Sequence, residues 1–165
     1  MIGFGGAQVA LLVPMLALER RMGSTGGPGI IGFELAGSPE RAQQILEAWG
    51  PDGKSGARVS LLLDYPYLVS YAGLQAAGCG IAAEAFRRRG LRRLAGVGAA
   101  IGRLQWVAGA FDAVENATLL GVLAGHGDWM PGLARRCASA KFALLTLGWG
   151  YMAAALYLRP RALAP

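Results

Sequence analysis

Histidine, cysteine and charged residues are all scarce in this chain of 165 residues, and each shortage closes a class of function. The single histidine, His126, falls in a segment read as a loop, so a haem held by two histidines inside a bundle is not available to one copy. Cys79 and Cys137 show no CxxC or other metal-ligand spacing, which excludes a zinc site. Cys79 sits in an apolar run, where a free thiol behaves as a small hydrophobe, and a disulfide to Cys137 is the minor reading. No phosphate-binding glycine loop, GxSxG elbow or HExxH pair occurs. No metal and no cofactor are expected.

Charged residues make up 16% of the chain and are clustered, leaving long uncharged runs between them. The net charge of +6 comes from short basic runs beside apolar segments, the pattern of membrane flanks. A nucleic-acid footprint would interleave basic and exposed aromatic residues along one face, and nucleic acid is excluded as a partner.

What is abundant is apolar. Hydrophobic residues are 54% and the mean hydropathy is +0.39, against roughly 45–50% apolar in an average soluble domain. Four apolar runs, at about 2–18, 59–83, 94–124 and 138–158, read as transmembrane helices, since about 20 residues cross a hydrocarbon core. The first run is short and contains Pro14. It has no basic segment before it and no small-residue cleavage site, so it reads as a retained helix rather than a signal peptide.

Between the first two runs, Ser38 as N-cap, Pro39 and Glu40 start a helix. Its apolar stripe is Ala42, Ile45, Leu46 and Trp49, and Gly50-Pro51-Asp52-Gly53 is expected to end it. This amphipathic helix, 39–49, is expected at the membrane interface or as a cap. The expected fold is therefore all-α: one transmembrane domain over 1–165, a membrane-embedded four-helix bundle with an interfacial helix between the first and second spans. Gly73/Ala77, Gly98/Gly102 and Gly121/Gly125 offer close helix crossings. The acid-free turn Arg87-Arg88-Arg89-Gly90-Leu91-Arg92-Arg93 and the flanking Arg159-Pro160-Arg161 favour a multi-pass topology with both termini cytoplasmic, against which Arg20, Arg21, Arg135 and Arg136 count.

Ionisable groups inside a span need a partner or a purpose. Asp112, Glu115, Asn116 and Gln105 fall within about 100° of arc on the third run. Asp64, Tyr67 and Tyr71 recur at spacings of three and four on the second, and Lys141 is placed about one turn into the fourth. Rise per residue puts Asp64 and Lys141 roughly 6–9 Å deep and Glu115 about 13 Å deep, in the same half of the bundle. Lys141 is expected to bridge Asp64 and Glu115, with the tyrosines and Asn116 completing the hydrogen bonds. Glu34 reads first as a solvated loop carboxylate and second as a group folded over the bundle mouth.

Two stretches, Phe33-Glu34-Leu35-Ala36-Gly37-Ser38 with Trp49, and Asp112-Ala113-Val114-Glu115-Asn116, resemble segments of small uncharacterised bacterial four-span membrane proteins. The resemblance implies a bundle in the bacterial inner membrane, with no activity attached, and points to Glu34 and the third-run cluster. Two readings of function stand. One is a membrane protein whose acidic cluster binds an ion, a proton or a small amphipathic ligand, with enzymatic use left open. The other is a non-catalytic accessory or assembly subunit. The expected partners are membrane lipid and, for the second reading, other subunits or a second copy. A polar network that only fixes helix register is the bland alternative to the site, and a soluble globular protein is the outlying one.

Overall fold

The computed structural model describes residues 2–158; the Arg159-Pro160-Arg161 flank lies outside the described residues. Five helices and no strand occur among them: α1 (Ile2–Gly23), α2 (Ile30–Glu34), α3 (Pro39–Arg88), α4 (Arg92–Leu123) and α5 (Met130–Tyr157). α3 packs against α1, α4 and α5, and α4 packs against α5. By length and composition, α4 is the one helix among the described residues long and apolar enough to cross a membrane.

Several expected boundaries move. The amphipathic helix starts where the sequence placed it, with the Ser38 hydroxyl accepting from the Arg41 amide at 3.2 Å. It does not stop at a loop. Gly50, at φ 58° and ψ −165°, breaks the helix for one residue, and Pro51 restarts it at once. Only glycine adopts that φ without cost, and proline is preorganised for a helical first turn. The stretch 51–58, expected as a connector, is therefore helix, and Gly53 packs directly under Trp49. α5 begins at Met130 rather than near 138, which puts Lys141 about three turns into the helix instead of one. Gly125 is not a helix-contact residue: it lies past the end of α4 at φ 78°.

The two ends are closed by aromatic pairs. At one, Phe33 meets Trp49 with ring centroids 5.0 Å apart, and the Trp49 indole donates to the Pro28 carbonyl at 2.7 Å. At the other, Phe86 meets Tyr151 at 5.3 Å, and the Tyr151 hydroxyl donates to the Leu94 carbonyl at 2.9 Å. Gly98 and Gly102 let α4 approach α3 there, against Ala83, Ala76 and Cys79. Arg89, expected as flank charge only, donates to the Ala155 and Leu158 carbonyls and so caps α5. The two cysteines are free and buried.

Candidate functional site

α2 is five residues long, too short to be stable alone, and is held at both ends. At its start the Glu19 carboxylate, from α1, accepts from the Ile30 amide at 2.9 Å, answering an otherwise unpaired N–H. At its other end Glu34 turns inward and is 8% exposed, which overturns the solvated-loop reading. Phe33 beside it is fixed against Trp49, so the backbone has little freedom to swing Glu34 out.

Lys141 is where the acids meet. Its Nζ lies 2.9 Å from Asp112 Oδ1, 3.0 Å from Glu115 Oε2 and 3.5 Å from Glu34 Oε2. The expected Lys141 bridge to Asp64 is not formed. The Asp64 carboxylate accepts from Asn116 Nδ2 at 2.7 Å, and Asp112 takes its expected place beside the lysine. Helix begins about eight residues earlier than expected before both Asp64 and Lys141, at Pro51 and Met130, so neither gains depth on the other, and Asn116 holds Asp64 in place of the lysine. The Tyr71 hydroxyl donates to Asp112 Oδ2 at 2.7 Å. Tyr67 packs edge-on to Tyr71, with centroids 5.8 Å apart, and its hydroxyl accepts from Gln8 Nε2 at 3.4 Å. Gln105, on the same arc of α4, is used elsewhere and donates to the Leu144 carbonyl at 3.2 Å.

Glu34, Asp112 and Glu115 thus share one ammonium. Buried charge is tolerated only when paired, and one lysine balances one of three carboxylates. Burial pushes Glu34 up from its usual range; Lys141 pulls it back and Asp112 adds to the rise.

Beside the cluster is a cavity of about 350 Å³. Glu34, Asp112 and Lys141 form its polar end; Tyr67, Tyr71, Phe142 and Leu145 form its walls. It lies between α1, which contributes Gln8 and Met15, and α5, and these two helices have no extensive packing against each other. Ile31 and Trp149, 54% and 62% exposed, stand among its lining, so it reaches the surface.

Sequence reading missed Gln75, which lines this cavity and is 6% exposed. Its carboxamide oxygen has no hydrogen-bond partner among the described residues. Tyr67, Tyr71 and Gln75 recur every four residues, so the helical spacing that singled out the tyrosines contained the signal. No group of three or more histidine, cysteine or acidic residues suited to a metal ion occurs among the described residues. No family model, curated protein or solved structure matches the chain.

Proposed function

We propose that this chain is a membrane-embedded four-helix bundle, formed by α1, α3, α4 and α5, that binds a small amphipathic ligand entering from the lipid between α1 and α5. The observation that carries the reading is the cavity between those helices, with buried carboxyls at one end and an exposed tryptophan among its lining. An apolar pocket with a few converging polar groups is the usual form of a small-molecule site.

Support for the membrane comes from the outer surface. Val9, Leu12, Val13 and Leu16 of α1 are exposed, as are Val59, Leu62 and Val69 of α3, Val97, Trp106, Val107 and Val114 of α4, and Leu147, Trp149 and Leu156 of α5. Large apolar side chains are thus exposed on all four long helices, whereas soluble monomers rarely expose extended apolar surface. α5 carries Lys141 and several glycines along with Trp149 and Tyr151. The lysine is neutralised inside, and glycine and tryptophan are common in membrane helices. The bacterial inner membrane, expected from the resemblance, is the proposed location.

Two measurements test this. After expression in bacteria, the protein should stay in the membrane pellet through alkaline carbonate. In phosphatidylcholine vesicles, the fluorescence lost in the Trp149→Phe variant should be quenched by bromine on the lipid acyl chains. Extraction by carbonate, or quenching by aqueous iodide in place of bromolipid, would overturn the reading.

The accessory-subunit reading has one observation of its own. The α3 face around Ala77, Gly80 and Ile81 borders a shallow groove, and a side chain added at Gly80 would meet nothing. Native mass spectrometry from mild detergent tests it: a larger assembly favours it, and a monomer disfavours it.

A further inference from the structure

We propose that the cavity selects an amphipathic organic cation, a compact amine whose ammonium sits against Glu34 and Asp112 with its carbon skeleton among Tyr67, Tyr71 and Trp149. This rests on the ligand-binding reading above and adds the chemical class.

The charge balance around the cavity comes first. The three N–H groups of Lys141 are matched by three carboxyl groups, leaving none to offer a ligand. Its contact to Glu34 is the longest of the three, at 3.5 Å, and Glu34 itself lines the cavity. The groups facing the cavity are Gln8 from α1, Glu34 from α2, Tyr67, Tyr71 and Gln75 from α3, Asp112 from α4, and Lys141 from α5. No second cation is among them. A ligand that enters therefore meets surplus acid, and only a donor or a positive charge improves that balance.

The second observation is independent of the carboxylates. Gln75 lines the cavity at 6% exposure, and its carboxamide oxygen, itself fully buried, is unpaired among the described residues. A buried acceptor without a donor is costly, and a turn of the carboxamide towards the cavity would let a ligand's ammonium N–H answer it. The walls supply the third: two tyrosines, Phe142 and Trp149 line the cavity, and aromatic rings attract organic ammonium groups.

Other classes fit less of this. A bare metal ion would leave a cavity of about 350 Å³ and its apolar walls unfilled. An anion would face Glu34 and Asp112 with no free cation to meet it. A neutral amphiphile could answer Gln75 but not the charge.

The test uses the full chain in phosphatidylcholine vesicles and three piperidine nitroxides that differ in one substituent: amino, hydroxyl or carboxylate. A nitroxide quenches tryptophan on contact, and the Trp149 signal is the part absent from Trp149→Phe. The amine should quench it saturably, at least about tenfold more tightly than the hydroxyl analogue, and the carboxylate should not saturate. Glu34→Gln should weaken the amine by about tenfold and leave the hydroxyl probe unmoved. Equal saturable quenching by amine and hydroxyl overturns the cation class and leaves the cavity as a site for neutral amphiphiles. No saturable quenching by any probe overturns the binding reading itself. The wild-type series decides both points if the variant does not fold. Repeating the titration with phosphatidylethanolamine in the vesicles separates two sources of the amine. Displaced probe means a lipid headgroup occupies the site, an unmoved curve leaves it to a free amine, and both outcomes support the class.

Discussion

The middle of this molecule and its Phe86 end solve the same packing problem in opposite ways. Around Phe86, Cys79, Ala83, Ala95 and Tyr151 the helices meet through small and aromatic side chains, and the buried polar atom there, the Tyr151 hydroxyl, has a backbone carbonyl. Around Lys141 the contacts are between charges: one ammonium, three carboxyls and a tyrosine hydroxyl. Apolar packing tolerates small losses locally, whereas a buried ionic cluster holds only while its members balance. A protein that needed the middle only as structure could have built it like the Phe86 end. The cluster is therefore the better place to look for function.

The largest expected effect follows from removing the shared cation. Lys141→Met keeps most of the side-chain volume but leaves Glu34, Asp112 and Glu115 facing one another. Breaking a buried ion pair from one side costs about 3–5 kcal/mol, so the thermal unfolding midpoint in detergent should fall steeply. Adding Asp112→Asn should recover part of the loss, because one fewer acid then lacks a partner. A Lys141→Met protein that melts like wild type would mean that the acids are neutral without the lysine.

Next comes a matched pair of deletions. Tyr71→Phe removes a hydroxyl that donates to a carboxylate, and Tyr151→Phe removes one that donates to a backbone carbonyl. Hydrogen bonds to charged groups contribute about 1.5–3 kcal/mol and neutral ones about 0.5–1.5. Tyr71→Phe should therefore be the more damaging, read as the difference in unfolding free energy by denaturant titration. Equal losses would erase the distinction drawn between the two regions.

The Phe86 end can be broken sterically instead. A Cβ on Gly98 would lie 2.4 Å from the Ala83 methyl and 2.6 Å from the Tyr151 hydroxyl. Gly98→Ala must push α3 and α4 apart, at about 1–3 kcal/mol for overpacking. The same change at Gly80, where nothing lies within 4 Å, should be neutral or slightly stabilising. Paired melts of these two variants measure how closely the helices are packed.

How far the sequence foretold this architecture varied with the kind of signal. Helical periodicity put Asp112, Glu115 and Asn116 on one face, and they are buried together. Periodicity carries no information about where a helix begins. The distance of Lys141 from the helix start depended on where α5 begins, and Met130-Pro131-Gly132 looks locally like a loop. Gly50-Pro51 likewise looks like a terminus, yet one glycine at positive φ lets the chain break and resume. Glu34 was unreadable for a different reason. Its burial depends on Glu19, Trp49 and Lys141, all distant in sequence, and no local pattern records such contacts. Gln75 follows the same four-residue spacing as Tyr67 and Tyr71, but a neutral glutamine among alanines has no charge to mark it as a site residue.

The smallest expected effect concerns two glutamates, Glu34 in α2 and Glu40 at the start of α3. Burial raises Glu34 above its usual value of 4.5, so the folded protein holds that proton more tightly than the unfolded chain. Its contribution is full below 4.5 and is lost as pH rises towards the folded value, which gives stability that declines with pH. Glu40 is exposed and has the opposite sign. Its own backbone amide and the Ser38 hydroxyl hold it low, so its contribution is present above 4.5 and lost as pH falls. Melting midpoints from about pH 4 to pH 8 in Glu34→Gln and Glu40→Gln should separate the two. The first change should remove a downward slope and the second an upward one. A downward slope that survives in Glu34→Gln would assign the retained proton to another acid of the Lys141 cluster.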